Sequence, residues 1–156
     1  MIYEWQHAQY TISTDPARLD LNVIHGFLST SYWAAGVPLD VVQRSLEHSL
    51  SFGLYTSDRQ IGFARVITDY ATFAYLADVF VLDAYRGAGL GKWLVAVIAA
   101  HPDLQGLRRW MLATRDAHTL YRTVGFELLK APERWMEKHV PDIYANANRE
   151  EQDASK

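Results

Sequence analysis

Residues 79–92 read Val79-Phe80-Val81-Leu82-Asp83-Ala84-Tyr85-Arg86-Gly87-Ala88-Gly89-Leu90-Gly91-Lys92. An apolar run of strand type ends in a short turn, and a loop with three glycines then opens an amphipathic helix over 92–100. Glycine lets the backbone approach a ligand closely and takes positive φ without steric cost. The first amides of a helix have no partner inside it and point outward with the positive end of the dipole. Strand, glycine loop and helix start in that order bind a phosphate or pyrophosphate. A tight strand-to-helix turn with no ligand is the bland alternative.

The rest of the chain sets bounds on that ligand. At 156 residues it has the length of one domain. Cysteine is absent, so disulfide and thiolate chemistry are excluded and a cytoplasmic location is expected. Net charge is −3 with both signs interspersed, so no basic stripe follows a nucleic-acid backbone and no nucleic-acid partner is expected. No apolar run nears the ~20 residues a membrane span needs. The N-terminus carries Glu4 and lacks a basic-then-apolar leader pattern. The six histidines show no metal spacing, and no metal is expected.

Periodicity places strands at 10–13, 51–56, 61–68, 73–82 and 109–113, with final strands at 126–129 and 134–137. The run 73–82 is apolar at nearly every position, as a strand covered on both faces would be. Helices are expected from Asp15-Pro16 or Asp20 through Leu28, over 40–50, over 92–100, and from an Asp116 cap to Val124, with Gly125 as its left-handed terminator. Residues 145–156 read as a polar, disordered tail after a single domain over 1–144.

Two known phosphate loops fit 79–92 poorly. A P-loop needs Gly where Arg86 stands and Ser or Thr where Trp93 stands, and the dinucleotide fingerprint needs Gly-x-Gly-x-x-Gly in an early βαβ unit. The spacing Arg86-x-x-Gly89-x-Gly91 after an apolar strand resembles the acyl-CoA loop of the GNAT superfamily of N-acyltransferases. Residues 116–126, Asp116-Ala117-His118-Thr119-Leu120-Tyr121-Arg122-Thr123-Val124-Gly125-Phe126, resemble that family's second signature, a Tyr four residues before Gly-Phe. Asp116 stands where many members carry Asn. The order of elements is similar over about residues 8–140.

The resemblance implies an α/β (α+β) fold with a mixed, centrally splayed sheet of about seven strands and helices on both faces. It implies an N-acetyltransferase that takes acetyl-CoA as co-substrate and a small-molecule or peptide amine as acceptor, by direct attack in a ternary complex. A non-catalytic acyl-CoA-binding or interaction domain is the alternative, and a homodimer is compatible with either. By resemblance, the amides and side chains of Arg86, Gly87, Ala88, Gly89, Leu90, Gly91 and Lys92 hold the diphosphate. The backbone of Val79, Phe80 and Val81 holds the pantetheine and acyl carbonyl, with Val81 on the carbonyl. Tyr121 falls at the position of the family's general acid.

Asp78 is the only charge within 73–82, which makes it a candidate base. If strands 61–68 and 73–82 form a hairpin centred between Ala71 and Thr72, Arg65 faces Asp78 and lowers its basicity. His118 is the other candidate base. Tyr32, Trp33, Phe73, Tyr75 and Trp135 are candidate aromatic walls for a small, partly apolar amine.

Overall fold

The computed structural model describes residues 1–57 and 59–155. Six strands form one sheet in chain order: β1 (Glu4–His7), β2 (Tyr10–Ser13), β3 (Leu50–Thr56), β4 (Arg59–Thr68), β5 (Phe73–Val81) and β6 (Arg109–Met111). Neighbours pair antiparallel up to β5, and β5 pairs with β6 in parallel, which makes the sheet mixed. The helices are α1 (Leu21–Leu28), α2 (Leu39–Glu47), α3 (Leu90–Ala99), α4 (His118–Arg122) and α5 (Ile143–Ala154). No described helix is long and apolar enough to cross a membrane.

The alternation of β3 shows how the two faces are covered. Phe52 and Leu54 join Leu94 and Ile98 of α3 in the larger core cluster. The opposite side carries Gly53, opposite Phe63 of β4, which in turn lies opposite Phe80 of β5. Phe63 and Phe80 pack with Ile24 and Leu28 of α1 and Val42 of α2. Asp20 starts α1, its carboxylate accepting from the amides of Asn22 and Val23.

Four expectations from sequence need correction. Among the described residues the sheet has six strands rather than about seven. Residues 126–129 and 134–137 pair with no strand, and Leu128 and Met136 are exposed. Phe126 sits edge-on to Trp110 and Tyr121, and Arg109 stacks on Trp135 at 4.6 Å. Lys130, Ala131 and Pro132 lie between the two runs, and the chain turns in a 3-10 helix over Pro132–Arg134. The extra strand at the other edge, β1, was hidden because its two-residue turn to β2 carries Ala8 at φ +53°, where Gly or Asn is the usual signal.

Asp116 does not cap α4. The cap position is Ala117, whose amide donates to the Thr114 hydroxyl at 3.0 Å. Residues 145–156 read as a disordered tail, but 145–154 belong to helix α5 (Ile143–Ala154). Its first turn closes from the Asn146 amide to the Asp142 carbonyl, and Tyr144 packs on the α1–α2 cluster.

Candidate active site

Pairing of β5 with β6 runs from Phe73–Arg109 to Tyr75–Met111 and stops there. β5 continues to Val81, so residues 76–81 have no strand on their β6 side. The two parallel strands therefore part ahead of the glycine loop, and one backbone edge of β5 faces the gap. Phe80 stacks on Phe27 of α1 at 4.0 Å, and Val81 joins the α3 cluster with Tyr121. The side chains of Phe80 and Val81 are core, and Val79 is half-buried against it.

A β-bulge sits in the same stretch. Arg65 pairs with Ala77 and Phe63 with Phe80, so Asp78 and Val79 oppose Ala64 alone. Asp78 lies at φ +56° within the bulge, a left-handed conformation that costs a non-glycine residue about 1–2 kcal/mol. Its carboxylate is held from both sides. Arg65 Nε donates to Oδ2 at 2.5 Å and the Trp33 indole N–H donates to Oδ1 at 2.8 Å. Arg65 also donates to the Ser49 hydroxyl at 3.1 Å. The expected Arg65–Asp78 pair is present, though the bulge sets it diagonally.

After Val81 the chain makes one 3-10 turn over Asp83–Tyr85 and enters the loop. Arg86 Nε donates to the Val81 carbonyl at 3.1 Å, and its NH1 pairs with Asp83 at 2.9 Å. Arg86 thus ties the loop to the end of β5. Gly87 and Gly89 take φ +86° and +76°, and Gly89 is the cap residue of α3. No side chain caps the helix, and the first partnered amide is Trp93, which donates to the Gly89 carbonyl. A methyl group at Gly87, Gly89 or Gly91 would meet nothing within 4 Å. The loop is open outward, Ala88 and Lys92 are exposed, and Leu90 is buried as the anchor. Open space over unpartnered amides fits a diphosphate.

Tyr121 is 9% exposed on α4, edge-on to Phe126. Burial pushes its phenol up to about 12, and the nearby Tyr32 phenol adds to the rise. Gly125 at φ +96° ends the helix, and the Phe126 amide turns back to the Tyr121 carbonyl. His118 is exposed at the first position of α4.

Similarity to known proteins gives the family. The profile described as "Acetyltransferase (GNAT) domain" matches residues 47–128. The chain belongs to the GNAT acetyltransferase family. A solved GNAT-family acetyltransferase from Xanthomonas campestris is 51% identical, with TM-score 0.86 over 90% of this chain and 99% of that one. A protein named as an acetyltransferase from Gibberella zeae is 35% identical over 140 residues, 75% of this chain and 78% of its own. The acetyltransferase of Clostridium acetobutylicum, solved with acetyl-CoA, is 12% identical with TM-score 0.60 over 89% and 96% of the two chains, a likeness of fold. The protein is therefore an acyltransferase by family.

Of the expected aromatic walls, Trp33 reaches the Asp78 carboxylate and Tyr32 packs on Trp33, whereas Phe73 and Tyr75 lie in the part of β5 paired with β6. Trp135 sits on the Arg109 side of β6. Two contacts were invisible in the sequence: the Arg115 amide donating to the Tyr32 hydroxyl, and the reach of Trp33 to Asp78. Each joins residues far apart in the chain through a loop without regular structure, and no local pattern encodes that. Among the described residues no group of three or more His, Cys, Asp or Glu could hold a metal.

Proposed function

We propose that this GNAT enzyme moves an acetyl group from acetyl-CoA to a primary amine by direct attack in a ternary complex. One observation carries the reading. The edge of β5 opens from β6 directly before an uncapped, glycine-lined helix start, with Tyr121 in the same core cluster as Val81. The amides of 87–92 hold the diphosphate, with Arg86 fixing the loop. The backbone of 79–81 lies along the pantetheine, and the Val81 amide faces the thioester carbonyl. A preorganised donor at that oxygen is worth about 10²–10³ in rate.

Tyr121 serves the departing sulfur. With its phenol near 12 against a thiol near 8.5, full proton transfer is uphill by about 5 kcal/mol. The phenol therefore donates a hydrogen bond as charge develops on sulfur. Asp78 acts as a positioning residue, since both its oxygens already accept hydrogen bonds. The amine attacks in its neutral form, and its proton leaves to solvent. At pH 7 an alkyl amine is neutral in about one molecule in 10³, a cost of about 4 kcal/mol. The rate should therefore climb with pH.

The test has two arms. CoA at a hundred times its dissociation constant stabilises the fold by about 2.7 kcal/mol, a rise in Tm of about 5–10 °C for this size. Free thiol is then followed with acetyl-CoA against small amines, polyamines and peptide N-termini. No Tm shift at millimolar CoA overturns the site; a shift without thiol release from any amine overturns the catalytic reading.

A further inference from the structure

Residues 29–38, between α1 and α2, form a strap across the opening between β5 and β6. Asp78 lies on β5 beyond the last β5–β6 pair, and Arg115 lies just past the end of β6, so the two flank the gap. Trp33 is tied to the near side through Asp78. Tyr32 is tied to the far side, where its hydroxyl accepts from the Arg115 amide at 3.2 Å. The two rings meet edge to face at 5.0 Å. The strap thus borders the place where sulfur, carbonyl and amine must meet.

Arg115 stands out there. Its guanidinium lies over the Tyr32 ring, 4.0 Å from the centroid. Its acidic contact is the adjacent Asp116, through one nitrogen at 3.5 Å, with both side chains about two-thirds exposed. So long and exposed a pair is weak and readily exchanged. Arg65, by contrast, is spent on Asp78 and Ser49. A guanidinium held over an aromatic face keeps N–H donors for a further partner, and its planar fork suits a carboxylate or phosphate oxygen pair.

We propose that Arg115, laid on Tyr32, binds an oxyanion on the acceptor, so that the substrate is an amine that also carries a carboxylate or phosphate. The inference rests on the acyl-transfer reading above. The apolar faces of Tyr32 and Trp33 take the body of such a substrate. Arg115 fixes its anionic end, and the amine is left at the gap.

Matched pairs test it: phenylalanine against phenylalaninamide for a carboxylate, and O-phosphoethanolamine against ethanolamine for a phosphate. Thiol release gives kcat/KM for each with wild type, Arg115→Ala and Arg115→Lys, and Tm with and without CoA is read on the same samples. The quantity is the change in the anionic-to-neutral ratio on mutation, which cancels the different basicities of the two amines. In at least one pair Arg115→Ala should lower that ratio tenfold or more, through KM, and Arg115→Lys should restore part of it. The pair that responds identifies the oxyanion.

A ratio unmoved by Arg115→Ala overturns the proposal. Equal loss for both members also overturns it, since it returns Arg115 to holding the strap. If CoA still raises Tm but no member of either pair releases thiol, the oxyanion site fails and the cofactor site stands. If CoA raises nothing, both fail.

Discussion

Tyr121 carries its hydroxyl into an apolar setting, beside Phe126 and 9% exposed. Tyr121→Phe keeps the ring and removes the one polar atom, so the fold should hold within about 1 kcal/mol. If the hydroxyl assists sulfur, kcat and kcat/KM fall together at least tenfold with CoA affinity unchanged. Unchanged turnover with a competent amine would remove the residue from the chemistry. Asp78→Asn separates positioning from base catalysis. Asn tolerates the left-handed φ and keeps an acceptor for the Trp33 indole. It weakens the hold on Arg65 and should cost about 2 kcal/mol of stability. Turnover should stay within tenfold with the shape of the pH–rate curve unchanged. A fall of 10² or more that also removed an ionisation would make Asp78 the base. The Arg65–Asp78 contact was legible because hairpin spacing follows from two strands and a turn. The bulge was not. Toward the turn Arg65 pairs with Ala77, and only beyond the bulge do Phe63 and Phe80 meet in the expected register. Nothing in the letters Ala-Asp-Val marks a positive φ at Asp78.

At the level of elements, the strand β5, its glycine loop and helix α3 were legible as a unit because each signals itself locally. Apolar length gives the buried strand, glycine gives the turn, and period gives the helix. The parting of β5 from β6 was visible only through resemblance, because strand separation is a matter of partners rather than of local propensity. The loop supplies a clean prediction. Gly91 lies within α3 with open space where a Cβ would go, and its φ is not left-handed. Steric strain therefore does not confound a substitution there. Gly91→Ala should leave stability unchanged or raise it by up to about 1 kcal/mol of helix propensity, with Tm following. Gly91→Val should fold and still lose CoA-dependent stabilisation, because its methyl groups occupy the diphosphate's space. At Gly89, with φ +76°, the same change also strains the backbone and lowers Tm. A folded Gly91→Val that binds CoA as wild type does would move the diphosphate off this loop.

For the whole molecule, His101 ties the N-terminal hairpin to the end of α3. It is 1% exposed, and Tyr3, Trp5 and Phe52 surround its ring at centroid distances of 4.8, 5.9 and 5.6 Å. Its Nδ1 accepts from the Asp103 amide at 3.0 Å, so the proton of the neutral ring is on Nε2, which is buried without a hydrogen-bond partner. Burial pushes its pKa down, the N-terminus adds to that, and Asp103 opposes it. The sign follows by linkage. Above about pH 6.5 neither state binds a proton at this site, and it leaves stability independent of pH. Below that value the unfolded chain takes up a proton that the fold resists, so stability is lost as pH falls through about 6.5 toward the folded pKa. Urea midpoints should decline from pH 7.5 to 5 in the wild type. His101→Asn keeps a side-chain acceptor for the Asp103 amide and titrates nowhere in that window. It should begin less stable, from the cavity it leaves, and decline less steeply. The exposed histidines act on both proteins alike, so the difference in slope isolates His101. Parallel slopes would mean that the fold accommodates the charged ring, and the aromatic setting would then have no bearing on the enzyme's acid tolerance.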